Sequence, residues 1–203
     1  LSLHDALPIW LCRRALRSAT RRTCARGVRV VGKITRAVSE RGFPMRMWID
    51  TEFNGFKGEL ISIAIVAEDG AEFYEILDVN ERLDPWVFRN VVPVLNSHRP
   101  DKDNRFGVHF PRTPMSRSSV QNNLRAFLLA YKKVHLIADW PEDIALFCRL
   151  LLTETPGERI DTPILTMEIT REDYVSAVPH NALEDARAMR RGTLGPVGPK
   201  VSS

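Results

Sequence analysis

The stretch Met47-Trp48-Ile49-Asp50-Thr51-Glu52-Phe53 constrains the fold more than any other part of the chain. Three apolar residues run directly into two carboxylates spaced i, i+2. Alternate side chains of a strand share a face, so Asp50 and Glu52 stand together at the end of a buried strand. Like charges that close repel, and burial strengthens the repulsion. Two readings follow from this segment alone. Either a divalent cation with hard oxygen ligands sits between the carboxylates, or the strand runs out into a solvated acidic turn.

Residues 46–51 are therefore the predicted first strand, and Phe53 to Gly58, with two glycines, a loop. Glu59 to Val66 (ELISIAIV) is an almost unbroken β-branched run, the pattern of a strand covered on both faces. Glu68-Asp69-Gly70 is a hairpin signal, and Ala71 to Leu77 is the returning strand. Asp84-Pro85 starts a helix as N-cap and first residue, with Trp86, Val87, Val91, Val94 and Leu95 at helical spacing to about Asn96. Residues 97–115 hold three prolines and read as a long loop over the site. Ser116 opens a second helix. Val134 to Ala138 is a short buried strand, followed by a helix with Pro141 in its first turn. Pro163 to Ile169 is the last strand. Thr170 with Asp173 resembles a capping box for a short helix to Ala177. His180 opens a final helix to about Arg190. The order β-β-β-α-α-β-α-β-α-α implies an α/β fold with a mixed five-stranded sheet, antiparallel over its first three strands, flanked by helices.

Charge divides the chain unevenly. Residues 1–46 hold 11 Lys/Arg against 2 Asp/Glu, and the remainder holds 18 against 23. The net charge of +4 thus belongs to the leader rather than the folded part. Residues 1–44 are Arg-rich, acid-poor and without hydrophobic period. Three readings of them stand: an organellar targeting segment, a basic nucleic-acid tail, or upstream sequence translated in frame. The last is favoured, because Leu-Ser-Leu-His-Asp-Ala-Leu-Pro-Ile resembles translated sequencing adapter. The natural start would then be Met45 or Met47. The expected domain is 45–191, with residues 192–203, rich in Gly, Pro and Ser, as a flexible tail. No apolar run approaches the ~20 residues that span a bilayer, so no membrane partner is expected. Cys12, Cys24 and Cys148 make neither a disulfide framework nor a zinc motif. They fit a reducing, cytoplasmic setting, with Cys148 expected to be a buried helix residue.

Three places along this order can converge: Asp50 and Glu52 at the first strand end, Asp139 and Asp143 around a later strand end and helix start, and His180 with Asp185 at the last loop–helix junction. Sites on open α/β sheets lie beyond strand ends. Each piece has a plain alternative: a common Asp-x-Glu, a helix cap at Asp139, a surface histidine.

Together they resemble the DEDDh group of 3′–5′ exonucleases of the ribonuclease H-like fold, closest to its small mycobacterial-type exoribonuclease family. The Asp-x-Glu motif is Asp50-Thr51-Glu52, followed by Phe53. The second motif, His-Asn-x-x-Phe-Asp in the wider group, matches Ala138-Asp139-Trp140-Pro141-Glu142-Asp143. This places its metal ligand at Asp143 and leaves Asp139 as the competing candidate. His-x4-Asp is His180 to Asp185. Asp84-Pro-Trp-Val with Asn90-Val-Val-Pro resembles the small family's first helix.

The resemblance implies two Mg²⁺ or Mn²⁺ ions held by Asp50, Glu52, Asp143 and Asp185, with Asp50 bridging. It implies His180 as general base and a nucleotide site at Thr51, Phe53 and Asp139. The implied substrate is the 3′ end of single-stranded RNA or DNA, RNA favoured, released as nucleoside monophosphates. A homodimer is expected from the same likeness. Arg105, Arg112 and Arg117 are candidate phosphate contacts. The competing readings are a catalytically inactive nucleic-acid-binding module of the same fold, and an unrelated α/β protein with surface acids.

Overall fold

The computed structural model describes residues 43–97 and 112–195. The leader up to residue 42, Arg105 with most of the long loop, and the tail from 196 lie outside the described residues.

Five strands make one mixed sheet in the order β3-β2-β1-β4-β5. β1 (Met45–Phe53), β2 (Leu60–Ala67) and β3 (Glu72–Ile76) form the antiparallel meander. β4 (Lys133–Ala138) and β5 (Ile164–Ile169) then run parallel to β1. The parallel set brings the C-terminal ends of β1, β4 and β5 to one sheet edge, so the loops leaving them share that edge. The sequence order makes this arrangement legible, because the β1–β2–β3 connections are hairpin-length and the later strands are reached through helices.

Strand alternation distributes the core. Met47 and Ile49 face a layer made by α2 (Arg117–Leu128) and α3 (Pro141–Leu151), where Leu124, Leu128, Phe147 and Leu150 are fully buried. Trp48, Ala64, Val66 and Ile137 face α4 (Ala182–Leu194), through Ala186 and Met189. Buried Gln121 of α2 ties the two helices of the first layer, donating to Leu150 O at 2.9 Å and Leu152 O at 2.7 Å. On the other face, Arg187 of α4 bonds Glu72 of β3 at 2.6 and 2.7 Å and Glu184 at 2.7 Å. A buried charge of this kind is tolerated only when its partners are this complete.

Several sequence expectations change in detail. The first helix, α1, covers only Pro85–Asn90 and passes into a 3₁₀ turn at Val92–Val94, because Pro93 cannot donate to an α-helical ladder. No helix forms over residues 170–177. Thr170 instead continues the β4 pairing, its N–H on Ala138 O, and Arg171 turns to φ +51°. Val175 is 94% exposed, which leaves Tyr174 as the segment's one large apolar contact with the core, too little to offset the cost of nucleating so short a helix. The last helix begins at Ala182 rather than His180 and runs to Leu194. Cys148 is exposed, against the expected buried position. Among the described residues, no helix is long and apolar enough to cross a membrane.

Candidate metal centre

Alternation along β1 explains why this site has two sides. Asp50 and Glu52 lie on the Trp48 face, toward α4, whose first turn carries Asp185. Thr51 lies on the opposite face, toward α3, whose first turn carries Asp143. Thr51 Oγ1 donates to Asp143 Oδ1 at 2.6 Å, and its backbone N–H donates to the same oxygen at 3.0 Å. β1 pairs in regular antiparallel register through Glu52, then bulges between Glu52 and Phe53. Such a bulge re-aims the side chains next to it.

The carboxylates assemble into two groups that share one member. Asp50, Glu52 and Asp185 form the first; Asp50, Asp139 and Asp143 form the second. In each, one oxygen per residue lies within 4.8 Å of the others. The sequence left Asp139 and Asp143 as competitors, and both reach Asp50. Asp139 does not cap α3; the N-cap position is Trp140, without a side-chain cap bond. Asp143 is only 2% exposed, and its Oδ2 is buried with no hydrogen-bond partner.

Five acids in this space hold their protons tightly. Burial first, then the charges of Asp143, Asp185, Glu52 and Asp139, keeps Asp50 well above the usual carboxylate range. Burial and the charges of Asp185 and Asp143 push Glu52 up to about 8. Burial raises Asp143 to about 7 although the Thr51 hydroxyl pulls it down. Burial raises Asp185 to about 6, opposed by the Ser176 hydroxyl and by the neighbouring His180. Asp139 is raised as well, by burial. Such a cluster is poorly compensated by protein alone. It has the donor chemistry of hard divalent cations: carboxylate oxygens only, with neither His nor Cys in either group. The unpartnered Oδ2 of Asp143 fits a cation in the second group, and Asp50 fits as the ligand common to both.

His180 precedes the α4 N-cap in a left-handed conformation, φ +64°, and is exposed. Its ring meets Trp86 of α1 edge-on, centroids 5.0 Å apart at 83°. Buried Asn181 holds this junction. Its Oδ1 accepts from Glu184 N at 3.2 Å, and its Nδ2 donates to Val94 O at 2.6 Å. Asn54, just past β1, stitches the β1–β2 loop to the start of α1. Its Oδ1 accepts from Asp84 N at 2.6 Å, and its Nδ2 donates to Arg82 O at 3.0 Å and Glu81 Oε1 at 2.9 Å. Gly58 permits that loop, since a Cβ there would come within 2.0 Å of Asn54 O.

The expected nucleotide residues are placed unequally. Phe53 is half-buried, beside the 75% exposed Phe56 at 6.2 Å between centroids. Thr51, by contrast, is buried, and both its donors are committed to Asp143. Neither donor is thus open toward a nucleotide in this structure. Arg112 lies 3.4 Å from Glu75, and Arg117 donates to Arg149 O, so both candidate phosphate contacts are engaged within the fold. Trp86, Phe56 and Asn54 also stand at this edge, beyond the residues of the three acidic motifs. For Asn54, the signal was a polar residue directly after the Asp-x-Glu-Phe strand end and before a Gly-rich turn.

No family model matches the chain. Two curated Mycobacterium tuberculosis proteins, from strains CDC 1551 / Oshkosh and ATCC 25618 / H37Rv, are each named 3′–5′ exoribonuclease. Each is 47% identical to this chain over 55 residues, 25% of this chain and 33% of the relative. The match thus spans about a third of the length of these relatives.

Proposed function

We propose that this chain is a divalent-metal-dependent 3′–5′ exonuclease. It would hydrolyse phosphodiester bonds from the 3′ end of single-stranded nucleic acid, RNA preferred, and release nucleoside monophosphates. The observation that carries the reading is Asp50, shared by two acid groups at the edge where three parallel strands end. The partial likeness to proteins named 3′–5′ exoribonuclease supports it.

Glu52 and Asp185 would complete one cation site with Asp50, and Asp139 and Asp143 the other. Mg²⁺ or Mn²⁺ bound there supplies the positive charge that phosphoryl transfer needs. Thr51 holds Asp143 in place through its two hydrogen bonds, so the second site is set by β1 itself. His180 stands on the open side, next to Asp185. It would take the proton of the attacking water, a role that suits an imidazole near neutral pH. Phe53 and Phe56 offer ring faces for a terminal base, which stacking holds without demanding one sequence. A cytoplasmic setting and a homodimer belong to the same proposal and rest on the sequence alone.

The test is incubation of 5′-labelled single-stranded RNA and DNA with Mg²⁺ or Mn²⁺, with and without chelator. A metal-dependent ladder shortening from the 3′ end is expected, absent in Asp50→Ala. Folded protein that cleaves neither strand in either metal would sink the proposal.

A further inference from the structure

An aromatic–cation pair that the mechanism above does not use lies beside the acid cluster. It lies on the Asp139–Asp143 side. Trp140 follows Asp139 directly and occupies the N-cap position of α3. Its indole is 47% exposed rather than packed into the core. The guanidinium of Arg171 lies over it, 6.0 Å from the ring centroid. Arg171 comes from the chain leaving β5, and Trp140 from the chain leaving β4, so adjacent parallel strands deliver the pair to the same sheet edge as Asp50.

Two further observations bear on Arg171. Arg46, Arg112, Arg125 and Arg187 are each held by a carboxylate: Glu68, Glu75, Asp161, and Glu72 with Glu184. Arg171 has no carboxylate partner among the described residues; the contact it makes is with Trp140. It is also one of three non-glycine residues at positive φ among the described residues, with Lys57 and His180. All three stand on loops at the site edge. Backbone held in this sparsely used region concentrates where function requires a particular aim.

We propose that Trp140 and Arg171 form a second nucleotide subsite, taking the base and phosphate of a nucleotide neighbouring the one at the reacting bond. The free face of the indole stacks on a nucleobase, and the guanidinium meets the adjoining phosphate. The inference rests on the exonuclease reading for the identity of the strand. It goes beyond it in assigning a strand-binding site outside the acid cluster, and it makes the enzyme favour oligomers over minimal esters. The subsite also places positive charge beside the acid cluster.

The test compares Trp140→Ala, Trp140→Phe and Arg171→Ala with the parent. One arm measures binding of a fluorescently labelled single-stranded RNA of about ten nucleotides by anisotropy, with Ca²⁺ as the divalent ion. The other measures kcat/KM for the same RNA and for a nitrophenyl ester of a single nucleotide, with Mn²⁺. The alanine variants should weaken RNA binding about tenfold, the scale of one lost base stack. Trp140→Phe should recover most of that loss. Arg171→Ala should lower the slope of log affinity against log salt by about one phosphate contact. The loss in kcat/KM should be about tenfold larger for RNA than for the ester. Unchanged RNA binding would overturn the subsite, and so would equal losses on both substrates. A parent protein that binds RNA with this dependence but cleaves nothing would sink the exonuclease reading and leave the subsite standing.

Discussion

Replacing Glu52 with Gln separates the electrostatics of the site from its chemistry. In the folded protein, burial and the charges of Asp185 and Asp143 raise the Glu52 carboxyl from 4.5 to about 8. The folded state therefore holds this proton more tightly than the unfolded chain does. The corresponding stability is intact below about pH 4.5 and is lost as pH rises through about 8. At about 1.4 kcal/mol per unit, the full shift corresponds to about 5 kcal/mol. Glu52 keeps some contact with solvent and shares its repulsion with neighbours, so about 2–4 kcal/mol is the expected share. For a domain of this size that is roughly 5–15 °C in Tm. The assay is thermal unfolding in EDTA from about pH 5 to about pH 8.5, followed by circular dichroism. Wild type should melt progressively lower as pH rises, and Glu52→Gln should lose much less. The two should coincide near pH 5 and separate at alkaline pH, the variant melting higher. Mg²⁺ should then raise the alkaline Tm of wild type far more than that of the variant. Parallel curves over the whole range, or a variant that melts lower at about pH 8.5 in EDTA, would refute the reasoning.

Other perturbations follow from the same geometry. Asn181→Ala removes the α4 cap and leaves Val94 O without its 2.6 Å donor. It should cost about 2 kcal/mol in denaturant unfolding, and an unchanged midpoint would contradict the junction described for His180. Thr51→Val deletes the 2.6 Å bond to Asp143. It should lower kcat about tenfold or more, with the fold kept by circular dichroism. His180→Ala should reduce kcat by about 10²–10⁴ without weakening Mn²⁺ binding; unchanged turnover rules out the base role. Gly58→Ala forces the loop away from Asn54 O, 2.0 Å from the new Cβ. It should raise KM for RNA in steady-state kinetics and lower Tm, and a variant unchanged in both would contradict the loop packing.

The sheet could be read from the sequence because its signals are local. The β-branched run of β2, the Glu68-Asp69-Gly70 turn and the Asp50/Glu52 alternation each act within a few residues. Pairing of Asp50 with Glu52 needed only the two-residue period of a strand. The convergence of Asp143 on Asp50 did not follow from any local rule: Thr51 and Asp143 are 92 positions apart, and only packing of α3 against β1 joins them. Sequence spacing could not decide between Asp139 and Asp143, since a loop and a first helical turn can both bend toward one point. Packing brought both in. The absent helix after β5 shows the reverse failure. Thr170 and Asp173 have capping chemistry, but no apolar stripe follows to reward a helix. Arg171 and His180 take left-handed conformations that their residue types do not advertise.

Central to this account is one carboxylate, Asp50, shared between two cation sites. Titration of the metal-free protein with Mn²⁺, followed by isothermal calorimetry and by the electron paramagnetic resonance of the free ion, tests it directly. The account predicts about two ions per wild-type chain, about one for Asp185→Asn, and loss of both in Asp50→Asn. A single ion in wild type, or an Asp50→Asn variant that still binds two, would contradict it.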